Sequence, residues 1–212
     1  GLQELTPQIP VLSEESVDIA WETRRQWSRY WLVDPLDGTR EFVKRNGEFT
    51  VNIALIDGHR PVMGVVLAPV GGDLYYAEAG AGAFRQPQPG STPQRLRTRP
   101  PAAPLRIAGS RSHGSERQGV LLSRLGDYTT LAMGSSLKFC LIARGEADLY
   151  LRAGPTSEWD TAAAHCVLDE AGGAVLALDG QSLRYNTRAA LLNPEFVAVG
   201  DPSIDWTDRL GM

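Results

Sequence analysis

Asp34-Pro35-Leu36-Asp37-Gly38-Thr39 constrains this chain more than any other stretch. It follows Tyr30-Trp31-Leu32-Val33, a short apolar run that reads as a buried strand. Two carboxylates three residues apart at a strand end can converge on one point. Pro35 fixes the turn, and Gly38 admits a backbone conformation that other residues resist. Hard divalent cations take carboxylate and carbonyl oxygens in clusters of this kind. A lone Asp-Gly is more often a plain turn, but here a strand, two acids, a proline and a threonine arrive together.

Two other acidic segments stand at element ends. Ser13-Glu14-Glu15 follows the strand candidate Ile9-Pro10-Val11-Leu12; alone it would read as a capped, solvated helix start. Trp159-Asp160-Thr161-Ala162-Ala163 opens a helix, where Asp160 serves equally as an N-cap or as a ligand near an anion-attracting terminus.

The first half of the chain reads as an antiparallel meander. Phe49 to Ile56 alternates as a strand, Asp57-Gly58 reads as the hairpin turn, and Val62 to Ala68 returns. Leu74 to Ala77 follows, and Gly80-Ala81-Gly82 turns into Ala83-Phe84. Val17 to Arg29 is a helix or an excursion. The Pro-, Gln- and Arg-rich run from Gln86 to Pro104 marks a boundary, giving halves 1–103 and 104–212. Beyond it strands and helices alternate: strands at Leu105 to Ala108, Ala147 to Leu151 and Ala174 to Leu178, helices at Gly119 to Leu125, Ser135 to Arg144 and Asp160 to Ala171. The expected fold class is α/β, an α+β layered sandwich with an antiparallel half and a smaller mixed half.

Composition narrows the function. The net charge of -4 argues against a duplex nucleic-acid coat. No apolar run is long enough for a membrane-spanning helix, and the start carries no signal-peptide pattern. Cys140 and Cys166 lie in apolar helical stretches and read as reduced core thiols of a cytoplasmic protein.

Ser-Glu-Glu, then Trp-x-x-Asp-Pro-x-Asp-Gly-Thr, then Trp-Asp-x-Ala-Ala with a Gly172-Gly173 helix stop, resembles the inositol-monophosphatase superfamily from about Ile9 to Asn193. The resemblance implies a Mg²⁺-dependent, lithium-sensitive phosphatase with two or more ions. Glu14, Asp34 and the Leu36 carbonyl would hold one ion; Asp34, Asp37 and Asp160 would hold a second. Glu14, Asp37 and Thr39 would carry catalysis, with the Thr39 hydroxyl orienting the attacking water.

Three further segments are similar to the bacterial 3'(2'),5'-bisphosphate nucleotidase branch. They are Arg40-Glu41-Phe42-Val43-Lys44-Arg45-Asn46-Gly47-Glu48-Phe49, Ser110-Arg111-Ser112-His113 and Gly134-Ser135-Ser136-Leu137-Lys138-Phe139. Hydroxyls, backbone N–H groups and cations at element ends suit phosphates. The resemblance implies substrate contacts from Gly38, Lys44, Ser110, Arg111, His113, Gly134, Ser135, Lys138, Arg152 and Asp160. The implied substrate is a small phosphorylated nucleotide, adenosine 3',5'-bisphosphate, converted to AMP as a by-product of sulfonucleotide reduction is cleared. Rival readings are an inositol monophosphatase or sugar-bisphosphate phosphatase on the same fold, or a catalytically weak binding protein. Ser135-x-x-Lys138 also matches a penicillin-binding pattern, but its Ser-Asp-Asn and Lys-Thr-Gly partners are absent. Relatives carry N-terminal helices, with a further acid, ahead of the Ser-Glu-Glu strand. Their lack here leads us to expect weakened turnover and an apolar sheet face that is either exposed or buried by a second copy as a homodimer.

Overall fold

Alternating apolar residues lay down seven consecutive strands within the first 95 residues, and the structure, a computed structural model, describes residues 1–16, 18–110 and 115–211. The strands are β1 (Val11–Ser13), β2 (Arg29–Asp37), β3 (Thr50–Asp57), β4 (Arg60–Ala68), β5 (Asp73–Glu78), β6 (Gly82–Gln86) and β7 (Gln94–Arg95), hydrogen-bonded in sequence order. A second sheet has the order β11-β12-β10-β8-β9, formed by β8 (Leu105–Gly109), β9 (Tyr128–Ala132), β10 (Leu149–Arg152), β11 (Ala174–Ala177) and β12 (Phe196–Val199). The helices are α1 (Leu2–Leu5), α2 (Trp21–Arg24), α3 (Thr39–Lys44), α4 (Glu116–Ser123), α5 (Leu137–Ala143), α6 (Ala162–Glu170) and α7 (Trp206–Leu210).

The layers follow from the burial pattern. In β3 every second residue from Thr50 to Ile56 is buried, as expected for a sheet covered on one face. That face meets α6, which also packs on β4, β5 and β6, while α5 lies against α6 and the second sheet. A Cβ on Gly64 of β4 would sit 2.2 Å from the Ala163 carbonyl oxygen, so α6 approaches the sheet closely only because that residue is glycine. One core therefore joins both halves of the chain, from Leu12, Leu32 and Ile56 through Phe139 and Val167 to Phe196. A second cluster packs α4 and α7 on the far side of the second sheet, with Leu121, Leu122, Trp206 and Leu210 against Ile107, Leu149 and Val197. The outer face of the first sheet carries half-exposed apolar residues, among them Ile53, Val65, Leu67, Leu74, Tyr76 and Phe84.

The layered α+β expectation holds, and the meander holds from β2 onward. β1, however, pairs parallel to β2, a connection that residues 14–28 make by way of α2. The hairpin reverses at Gly58 and His59, both with positive φ (53° and 70°), while Asp57 still pairs with Arg60. The turn thus lies one residue later than Asp57-Gly58, with the primed-turn twist that hairpins favour. The helix expected at Gly119 to Leu125 begins at Glu116, because the Ser115 hydroxyl accepts from the Gln118 N–H and caps it. The helix expected from Asp160 divides into a 3₁₀ turn, Glu158–Asp160, and α6. β9, β12 and α7 were not anticipated. Among the described residues no helix is long and apolar enough to cross a membrane.

Candidate active site

A one-residue bulge in β2 creates the acidic cluster. Side chains alternate along a strand, so residues 34 and 37 would normally face opposite ways. Asp34 pairs with Asn52 and Asp37 with Thr50, which leaves two residues, Pro35 and Leu36, opposite the single Val51. The extra residue turns Asp37 onto the face that bears Asp34, and Pro35 sits where a lost ladder hydrogen bond is harmless. Asp160 arrives from the 3₁₀ turn before α6, and carboxylate oxygens of Asp34, Asp37 and Asp160 lie within 4.8 Å of one another. Glu14 is exposed and outside that trio, although its charge is close enough to raise the pKa of Asp34 and Asp160.

Polar contacts hold the three acids unequally. Asp37 Oδ2 accepts from the Ser136 N–H (2.6 Å) and Ser136 hydroxyl (2.8 Å), with Thr50 and Asn52 each 3.3 Å away. The same hydroxyl lies 2.6 Å from the Asp160 carbonyl, and its single proton serves one oxygen at a time. Asp160 Oδ2 accepts from the Ser157 N–H at 2.8 Å. Asp34 Oδ1 accepts from the Leu36 N–H at 2.9 Å, but its buried Oδ2 has no hydrogen-bond partner among the described residues. Burial, and then the neighbouring Asp37 charge, push the Asp34 carboxyl up to about 9. The same causes push Asp160 up to about 7. Three crowded carboxylates, one with an orphaned oxygen, form a cluster that only added positive charge relieves, and an all-oxygen donor set fits a hard divalent ion.

Beside the cluster is a pocket of about 220 Å³. Asp37, Gly38 and Thr39 border it on one side, where Gly38 takes the left-handed conformation (φ 90°) that starts α3. Ser110, Gly134, Ser135, Lys138, Arg152 and Asp160 border it elsewhere. Lys138 is 7% exposed, its Nζ donates to the Ser135 carbonyl (2.6 Å), and it lies 5.1 Å from the Tyr150 ring centre. Burial lowers its pKa to about 8. Arg152 donates to the Pro155 carbonyl at 2.7 Å.

Nine of the residues singled out in the sequence thus share one pocket. Lys44 is exposed on the last turn of α3 and is not among the pocket's lining residues; Leu36 and Glu14 are likewise outside the lining. Arg111 and His113 fall outside the described residues. Sequence reasoning missed Asn52, Thr50 and Ser136, which hold Asp37, and the aromatic floor of Phe139, Tyr150 and Phe196, whose ring centres are 5.4–5.8 Å apart. The signal for the first two was legible: they are polar residues at buried positions of an alternating strand.

A layered fold with a carboxylate trio between the end of β2 and the turn before α6, opening into a pocket lined by the buried Lys138 and by Arg152, suits a metal-dependent enzyme acting on an anionic substrate. The chain belongs to the inositol monophosphatase family, whose pattern matches residues 1–202. It is 52% identical over 196 residues to the Salmonella typhimurium protein named 3'(2'),5'-bisphosphate nucleotidase CysQ, an alignment that covers 92% of this chain and 78% of that one. The protein of the same name in Escherichia coli K12 is 50% identical over the same span. The crystal structure of CysQ from Bacteroides thetaiotaomicron superposes with a TM-score of 0.82 at 40% identity, covering 91% of this chain and 77% of that one.

Proposed function

We propose that this protein is a 3'(2'),5'-bisphosphate nucleotidase that removes the 3'-phosphate of adenosine 3',5'-bisphosphate to leave AMP. The observation that carries the reading is that the pocket bordered by Asp37 and Asp160 of the Asp34–Asp37–Asp160 trio is also lined by Lys138, whose side chain is buried. A substrate with two phosphates needs an anion site apart from the reacting one, and the similarity to proteins named for that activity supports the same substrate. Asp34, Asp37 and Asp160, with Glu14 and the Leu36 carbonyl, would hold Mg²⁺, which supplies Lewis-acid stabilisation of phosphoryl oxygens and, as a pair of ions, a two-metal site. Inhibition by lithium belongs to the same proposal.

The chain's own groups have separable tasks. Gly38 and the Thr39 N–H and hydroxyl, at the start of α3, face the scissile phosphate, and Thr39 orients the attacking water. Lys138, Arg152, Ser110 and Ser135, with Arg111, His113 and Lys44, bind the second phosphate and the nucleoside. The Ser136 and Asn52 contacts keep Asp37 fixed while charge develops beside it. The halves 1–103 and 104–212 meet at this pocket. Two buried free thiols, Cys140 and Cys166, suit a reducing cytoplasm. A second copy covering the outer face of the first sheet is the proposed homodimer.

The test is phosphate release from adenosine 3',5'-bisphosphate and from inositol 1-phosphate, each with Mg²⁺ and with chelator. Mg²⁺-dependent release favouring the nucleotide by tenfold or more in kcat/KM is expected. Equal or greater activity on inositol 1-phosphate would move the protein to another branch of the family.

A further inference from the structure

Resting on the nucleotidase reading above, we propose that Glu41 is a specificity-determining residue that accepts a hydrogen bond from the ribose hydroxyl next to the scissile phosphate. Glu41 lies in the first turn of α3, two residues after Thr39, and lines the same pocket. Its Cγ stands against Gly134: a Cβ added there would be 2.7 Å from it and 2.6 Å from the Glu48 carbonyl oxygen. Glu41 thereby shares one pocket with Asp37 and Thr39 and with Lys138. Its charge is near enough to Lys138 to favour the protonated amine.

A carboxylate in an anion pocket needs a reason. Glu41 forms no side-chain hydrogen bond and no ion pair among the described residues, although Lys138 and Arg152 line the same space. It is also held in place rather than free to leave. The Gly134 N–H donates to Glu48 Oε2 at 2.9 Å, tying the end of the α3 loop to the 134–138 segment. Phe42 packs edge-on to Phe49 with ring centres 5.1 Å apart, and the Asn46 N–H donates to the Glu41 carbonyl. The side chain is a positioned, half-buried acceptor that would repel a phosphate and bind a donor.

Between the two phosphates of a nucleoside 3',5'-bisphosphate the ribose offers one donor, the 2'-hydroxyl. It is vicinal to the 3'-phosphate, so it falls beside the group bound at Asp37 and Thr39, in the pocket that Glu41 also lines. A hydrogen bond to an ionised acceptor is worth about 10- to 100-fold in selectivity against the analogue that lacks the hydroxyl.

The experiment compares kcat/KM for adenosine 3',5'-bisphosphate and its 2'-deoxy analogue in the wild type, Glu41→Gln and Glu41→Ala. The wild type is expected to prefer the ribonucleotide by about 10-fold or more; the preference shrinks in Glu41→Gln and falls to about threefold or less in Glu41→Ala. A general loss of structure would lower both rates and leave their ratio, so the ratio isolates recognition. Turnover of both nucleotides with no wild-type preference, or a preference that survives Glu41→Ala, overturns the Glu41 proposal and leaves the nucleotidase reading standing. Turnover of neither nucleotide by the wild type overturns both.

Discussion

Replacing Asp34 by asparagine is expected to stabilise the metal-free protein while abolishing its stabilisation by Mg²⁺. Asp34 is 1% exposed, its Oδ2 has no partner among the described residues, and burial beside Asp37 raises its pKa from 3.8 to about 9. The folded protein therefore keeps a proton that the unfolded chain releases above pH ~4. Between these values the native state binds more protons, so wild-type stability falls as pH rises. At pH 7 the gap is about 3 units, an upper bound of about 4 kcal/mol at 1.4 kcal/mol per unit. The amide keeps the bond from the Leu36 N–H and donates toward its acidic neighbours, but it also brings a new buried donor that must be satisfied. A net gain of about 2 kcal/mol corresponds to a melting temperature higher by about 4–8 °C in a chain of this size. Thermal melts in chelator from about pH 5 to 9 should show the advantage of Asp34→Asn growing with pH. In excess Mg²⁺ the wild type should gain through ligand linkage and the variant should not. A variant that melts below the wild type in chelator throughout this range, or that gains as much from Mg²⁺, would refute the picture of a strained cluster awaiting a cation.

Other expectations follow from the same geometry. Mg²⁺ binding should release protons near neutral pH, because Asp160 and Asp34 carry pKa values raised to about 7 and about 9; calorimetry in buffers of different ionisation enthalpy reads this, and affinity should weaken as pH falls. Lys138→Ala should raise KM for the bisphosphate by about tenfold or more with a smaller change in kcat, and wild-type KM should rise above pH ~8 as the ammonium loses its proton. Gly64→Ala drives a methyl into the Ala163 carbonyl and should cost about 3 kcal/mol, seen as a melting temperature lower by roughly 6–12 °C.

Much of the site could be read from the sequence because its pieces are local. Asp34, Asp37 and Gly38 stand within five consecutive residues, and Asp160 opens a recognisable helix. What sequence could not show was the route by which they meet. The bulge that puts Asp34 and Asp37 on one face is visible only in the register against Asn52 and Thr50. Ser136 is one of several hydroxyls at a helix start in the sequence, yet its N–H and hydroxyl are committed to Asp37. β12 escaped notice because four buried residues between turns carry no alternation, and β9 because its side chains are mostly exposed. The parallel pairing of β1 depends on a crossover with no local pattern of its own.

The most direct test of the account is Mg²⁺ binding by the wild type and by Asp37→Asn, measured calorimetrically on the folded proteins alongside phosphate release from adenosine 3',5'-bisphosphate. The substitution is expected to weaken Mg²⁺ binding by tenfold or more and to remove metal-dependent release, while the melting temperature in chelator does not fall by more than a few degrees. Undiminished Mg²⁺ affinity and turnover in a folded Asp37→Asn protein would contradict it and place the metal, and the chemistry, elsewhere.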